Sequence, residues 1–412
     1  MKRAARGQEA PLRHKCDPGR GLQRLAPVYR FVLQLVLLAL TAGGACAHDA
    51  SSYGGVFRSR NLGGTWLSAD VGLFLNAALV VAINPKHQGE LLAGTDLGLL
   101  GSRNAGLSWT PEARDLIFGA VFAVTFLSDG QGAICVAQSG VFRREVGRWM
   151  PAAAPEAAIP AKTLALGASA ERVYLLGRDR LFLSTDGGHR FVPVPGPSDT
   201  SVTSALAVVR SQHEIVLAVI DGQIMSSEDG GKSWRARGLG EASNPVDTVA
   251  VDVEVPNRVW AAHAGRIYAS DEGGAVWRSL GRSLPEPGTT VRGIAANAEA
   301  TTLVVASNRG LYRSENGGET WMLKEDNLPI HLEAGPLTRD PADAGLLYAV
   351  YSLMPYSEVW RAASEGGNLL KRLDPISLAG GISFWLLLLI GGWFCARRLA
   401  RSRLTGTGGL LC

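Results

Sequence analysis

An eight-residue pattern returns along this chain at a nearly fixed interval, and it restricts the possible folds more than any other feature. SRNLGGTW occupies Ser59–Trp66 and SRNAGLSW occupies Ser102–Trp109. STDGGHRF follows at Ser184–Phe191, SEDGGKSW at Ser227–Trp234, SDEGGAVW at Ser270–Trp277 and SENGGETW at Ser314–Trp321. The shared pattern is Ser-x-Asp/Asn/Glu-x-Gly-x-x-Trp/Phe. A degenerate copy, FRREVGRW, ends at Trp149, and a weaker one, ASEGGNLL, ends at Leu370. The closing aromatics at 66, 109, 149, 191, 234, 277 and 321 lie 40 to 44 residues apart. A period of that length holding about four short strands is the period of a propeller blade.

The chemistry of the octapeptide is that of a tight turn. Asn61, Asn104, Asp186, Asp229, Glu272 and Asn316 sit where a short side-chain acceptor closes a turn onto amides further along. Gly63, Gly106, Gly188, Gly231, Gly274 and Gly318 fall where a positive φ is wanted. Ser59, Ser102, Ser184, Ser227, Ser270 and Ser314 are placed to tie the turn to a neighbouring strand. Trp66, Trp109, Phe191, Trp234, Trp277 and Trp321 open the next strand, where a large ring wedges between repeats. The acidic members are therefore hairpin staples and poor candidates for catalytic carboxylates.

These residues resemble the Asp-box, or BNR, repeat of sialidases, of sortilin-type lumenal domains and of the Ycf48/Hcf136-type photosystem II assembly factors. The resemblance covers about Tyr53 to Leu373. It implies an all-β propeller of four-stranded blades and says little about function, because those families share the motif and not the activity. TTVRGIAA, TTLVVAS, GLYRS and WMLKE read as the four strands of one blade. The N-terminal unit supplies strands three and four, and HLEAGPLTRD with LLYAVYSL supplies strands one and two. Joining these halves closes a ring of seven blades. EVWRAASEGGNLLKRL adds a possible further strand pair and leaves eight blades, or an extra hairpin, open.

Both tails differ from the repeats. A basic leader precedes the apolar run Phe31–Gly44 and then Ala45-Cys46-Ala47, the layout of a secretory signal. Ile376–Ala396 is 21 residues without a charge, long enough to span a bilayer. Arg397, Arg398, Arg401 and Arg403 follow, and the positive-inside rule assigns them to the cytoplasm. The expected organisation is leader and signal at 1–47, propeller at 48–374, transmembrane helix at 375–396 and a basic cytoplasmic tail at 397–412. That places the propeller on the extracytoplasmic, periplasmic side of a single-pass protein. Of 41 Lys and Arg and 37 Asp and Glu, the two tails hold 12 and 2, so residues 48–375 carry a formal charge of −6. A mildly acidic domain argues against a nucleic-acid partner. Of Cys16, Cys46, Cys135, Cys395 and Cys412, only Cys135 lies within the repeats, in the apolar GAICVAQ, as a buried free thiol. No disulfide framework, metal spacing or cofactor motif is present.

The octapeptides link strands three and four, so all lie on one face of the ring. The turns between strands two and three, and the crossovers between blades, lie on the other. That second face is the expected binding rim, with Asp96, Arg114, Gln138, Arg178, Asp221, His263, Arg292, Asn308 and Arg309 as its candidates. The resemblance to Ycf48/Hcf136-type proteins implies a non-enzymatic scaffold or assembly role, with an arginine-lined surface engaging a membrane or extracytoplasmic protein. Arg178, Arg292 and Arg309 are the arginines available for such a surface. A sialidase-like glycosidase, or a glycan-binding propeller, is the alternative. That family carries a Phe/Tyr-Arg-Ile-Pro segment early in its first blade, whereas GGVFRSRNLGG stands here and Arg58 aligns with Arg313 as a repeat position. A sortilin-like peptide receptor is a further alternative, sharing only the single-span layout.

Overall fold

A computed structural model describes residues 54–365, apart from 71–72, 74, 212, 240–244 and 330. The signal and leader, the 376–396 segment, the basic tail and every cysteine except Cys135 lie outside the described residues. Among the described residues, no helix is long and apolar enough to cross a membrane.

The described strands form seven antiparallel four-stranded sheets. Blades one to six each use four consecutive strands, with innermost strands Ala78–Ile83, Val121–Phe126, Thr163–Leu166, Thr203–Arg210, Thr248–Val251 and Val291–Ala296. The seventh blade joins the two ends of the ring. Glu333–Arg339 and Leu347–Ser352 supply its inner pair, and Gly55–Ser59 and Leu67–Ser68 its outer pair. Gly55 to Ser59 pairs residue by residue with Tyr351 to Leu347. The ring closes at seven.

Second strands such as Ala133–Ala137, Leu303–Ser307 and Leu347–Ser352 are buried along their whole length. The reason is the stacking of the blades, which leaves no open face on an inner strand. The core accordingly lies between blades. Phe57 and Trp66 of the seventh blade pack with Val304, Ala306 and Leu311 of the sixth. Cys135 belongs to such a layer, and burial holds its thiol in the neutral form.

The octapeptide turns are bonded internally. Ser227 Oγ donates to Asp229 Oδ1 at 2.8 Å and accepts from the Gly231 amide at 2.7 Å. Asp229 Oδ1 accepts from the amides of Lys232 and Ser233 at 3.0 and 2.9 Å. The serine thus ties the turn to itself rather than to a neighbouring strand. Gly231 has φ +91°, and a Cβ there would lie 2.3 Å from Val194 of the preceding blade, so both conformation and space demand glycine. The closing indoles reach backwards to the preceding blade. Trp109, Trp234 and Trp321 donate Nε1 to the carbonyls of Ala69, Pro195 and Arg282 at 2.7, 3.0 and 2.9 Å. Repeat arginines reach forwards. Arg58, Arg143 and Arg313 donate to the carbonyls of Ala105, Gly187 and Leu62 in the next blade's turn. The degenerate copy ending at Trp149 is a two-residue hairpin, with Val146 and Gly147 at φ +46° and +76°.

Where the sequence left a further strand pair open after the seventh blade, the chain forms a helix, α1, at Tyr356–Ser364. Tyr356, Val359, Trp360 and Ala363 follow the i, i+3, i+4, i+7 spacing of one helical face, and Pro355 precedes the first turn. The start of the weak ASEGGNLL copy, Ala363–Ser364, lies in that helix, and its remainder from 366 lies outside the described residues.

Candidate functional site

The innermost strands surround an axial channel of about 440 Å³. Each begins on the face that carries the strand-two-to-three turns. In four blades the register slips at that first step, at Ala78/Val80, Val121/Ala123, Thr203/Ala205 and Val291/Gly293, and in the seventh it slips one step later, at Ala334/Leu337. A bulge of this kind re-aims a side chain. In four of the five blades the skipped residue is Leu79, Phe122, Ser204 or Arg292.

Three of those four form the seat of α1. Phe122 meets Tyr356 edge-on at 5.1 Å and Trp360 edge-on at 5.0 Å. Leu79, Ala77 and Ala120 pack with Val359 and Ala363. The Arg292 guanidinium lies 5.1 Å over the Tyr356 ring, ion-pairs with Glu333 at 2.7 Å and donates to the Ala334 carbonyl at 3.1 Å. Glu333 also accepts the Tyr356 amide at 2.9 Å, satisfying a donor in the helix's first turn. From the third blade, Lys162 Nζ lies 5.7 Å over the Trp360 ring. Burial lowers the Lys162 pKa, partly offset by Asp179, and raises that of the Tyr356 phenol. The helix therefore joins blades one, two, three, six and seven across the mouth of the channel.

The sequence-derived rim residues are dispersed around this cap and do different work. Arg292 is part of the helix seat. Asp221 Oδ1 accepts the Val202 amide at 2.9 Å, and Asn308 Oδ1 accepts the Thr290 amide at 2.8 Å, so both hold crossovers. His263 is buried, with Nδ1 3.2 Å from the Pro245 carbonyl oxygen. Nearby Asp247 accepts the Val291 amide at 3.3 Å, and burial raises its pKa. Asp96 is half-buried with its pKa raised by the same cause, and Gln138 is half-buried behind Gly119. Arg114, Arg178 and Arg309 are exposed. Arg178 Nε donates to the Ile159 carbonyl at 2.7 Å, and Arg309 sits 3.7 Å from Glu286. Lys162, Tyr356 and Trp360 were not among the candidates. The i, i+4 spacing of Tyr356 and Trp360 is the signal the sequence offers for them.

This face also exposes large apolar side chains. Leu97 is 71% exposed, Phe118 58%, Met354 46% and Leu353 39%. A backbone bridge between Gly98 and Phe118 brings the turn that carries Leu97 up to the crossover that carries Phe118, and the Leu353 amide donates to the Asn76 carbonyl at 2.8 Å. Among the described residues, no group of three His, Cys, Asp or Glu could hold a metal ion.

The fold is that of a seven-bladed β-propeller whose channel is capped by α1, the helix that follows its last strand. No protein-family model matches the chain. No curated protein sequence matches it either. Among solved structures, it is similar to "YCF48 bound to D1 peptide", at 18% identity and TM-score 0.50, over 67% of this chain and 92% of that one. It is similar to Ycf48 from Cyanidioschyzon merolae at 14% identity and TM-score 0.51, over 68% and 97% of the two chains. A GH74 xyloglucanase from Xanthomonas campestris aligns at 15% identity and TM-score 0.49, over 67% and 53%. At these identities the likeness defines the propeller fold alone.

Proposed function

We propose that this chain is a membrane-anchored extracytoplasmic propeller that binds a protein partner on its turn face and acts as a scaffold or assembly factor. The observation that carries this reading is the filled channel mouth. Tyr356 and Trp360 occupy the place where a propeller would otherwise offer a central cleft. What remains around them is a broad surface with exposed Arg178, Arg309, Leu97 and Phe118, suited to a macromolecule rather than to hydrolysis of a small substrate. The octapeptides resemble Asp-box repeats, and a Ycf48 propeller holding a D1 peptide is a precedent for a protein segment lying on this fold.

Arg58, which a sialidase reading would examine first, donates to the Ala105 carbonyl at 3.0 Å, as its repeat counterpart Arg313 does to Leu62. The test is co-purification of partners from membranes with the native chain and with the double variant Arg178→Glu/Arg309→Glu. Arg292 is left intact because its change would unseat α1. Loss of a co-purifying membrane protein supports the reading. An unaltered partner set rejects the rim assignment, and turnover of a fluorogenic sialoside rejects the scaffold reading.

A further inference from the structure

We propose that the turn face lies against the bilayer surface, with Leu97, Phe118, Leu353 and Met354 seated in its interfacial layer. The inference rests on the reading of 376–396 as a membrane span and adds an orientation and a lipid contact to it.

Two independent observations carry it. The first is where the described chain ends. Helix α1 sits over the channel mouth at the centre of the turn face and ends at Ser364. Ten residues, 366–375, then separate Glu365 from the apolar run that begins at Ile376. Fully extended, they reach roughly 35 Å. To place the octapeptide face on the membrane instead, the chain would first cross a blade radially, about 14 Å of sheet beyond the channel's own radius. It would then descend the height of a strand, about 20 Å. That path exhausts the tether. With the turn face towards the membrane, the tether is ample.

The second observation is the set of apolar side chains exposed beside α1. The octapeptide face exposes Leu107, Val146 and Val276 as well, so the tether sets the orientation and the side chains beside α1 supply the contact. Leu97 and Phe118 are exposed on neighbouring loops of the turn face, and Leu353 and Met354 immediately precede the helix. Leu, Phe and Met are side chains that partition into the interfacial layer. Four of them make a weak surface on their own. Tethered by the same chain, the contact becomes intramolecular and needs little intrinsic affinity.

Three methionines supply the test without any substitution. Met354 is 46% exposed, Met150 45% and Met322 59%, the last two on outer blade strands. The full chain is reconstituted into lipid nanodiscs at one copy per disc and oxidised with hydroxyl radicals. Vesicle flotation is run in parallel. The expected result is that the chain floats and Met354 oxidises at least threefold more slowly than Met150 and Met322. A floating chain with equal oxidation at the three sites overturns the lipid contact and leaves the membrane anchor standing. A chain that does not float overturns the anchor and the inference together. Protection of Met354 that arises only when a second membrane protein is added overturns the lipid assignment in favour of a protein. Single-copy discs keep a second propeller from producing the protection.

Discussion

The Arg292 guanidinium lies 5.1 Å above the Tyr356 ring while it ion-pairs with Glu333. One side chain, aimed inwards by a strand bulge, therefore binds the sixth blade to the seventh and to the helix that covers the channel.

Reversing that charge should loosen the cap before it opens the ring. In Arg292→Glu, a carboxylate would face Glu333 and the π-face of Tyr356, with both original pairings gone. The expected cost is about 1–3 kcal/mol. Limited proteolysis should show new cleavage between 353 and 365, while far-ultraviolet circular dichroism keeps its β signature. An uncut helix in the variant would show that Arg292 does not hold α1.

Glu272 is the weak copy among the octapeptides. Asn61, Asn104, Asp186, Asp229 and Asn316 each accept the amide four residues on, at 2.8 to 3.0 Å. The Glu272 carboxylate accepts none, although its own amide and that of Gly274 still donate to Ser270 Oγ. The additional methylene carries the oxygens past the turn. Glu272→Asp should restore the staple and raise stability by about 0.5–1.5 kcal/mol, measured by urea denaturation. A neutral or destabilised variant contradicts this account.

The turn carboxylates should govern the acid limb of stability. The Ser233 hydroxyl, 2.6 Å from Asp229 Oδ2, together with backbone amides and Ser227, holds the Asp229 pKa well below its ordinary 3.8. A depressed folded-state pKa gives stability that is present above about pH 4 and lost as pH falls through the folded value. Asn61, Asn104 and Asn316 do the same work without a charge. Asp229→Asn should therefore melt like the native chain at pH 7 and lose less stability than it between pH 4 and pH 2. Parallel acid limbs would refute the assignment.

The inter-blade rings should rank by burial. Trp66 is fully buried, and Trp321 is half-buried with its indole bonded to Arg282. Trp66→Ala should cost about 3–5 kcal/mol. Trp321→Ala should cost less, because more of its ring already meets solvent. Thermal melts of the two variants give the order, and the reverse order would sink the wedge account.

Much of the architecture was legible because the turns are local. Ser227, Asp229 and Gly231 bond among themselves within eight residues, so their spacing announces each hairpin and each blade. The half-blades at the two ends pointed to closure at seven, while EVWRAASEGGNLLKRL left eight open, and the helix formed at Tyr356–Ser364 decided between them. The face assignment followed from which strands the octapeptides connect.

The capped mouth was not readable in the same way. Phe122, Lys162, Arg292, Glu333 and Trp360 are scattered over some 240 positions, and only the circular stacking of blades brings them to one axis. The alternation of EVWRAAS suits either a strand or a short helix, and its packing on Leu79 and Phe122 decided for the helix. Arg292 illustrates the division most clearly. As a residue in a list of rim positions it is one more exposed cation. In the folded ring, the bulge at Val291/Gly293 turns it onto Tyr356 and Glu333 and makes it part of the cap. Local turn chemistry and period thus determined the blades and their two faces. Convergence of distant strand starts on one axis, which no local pattern encodes, decided what fills the channel.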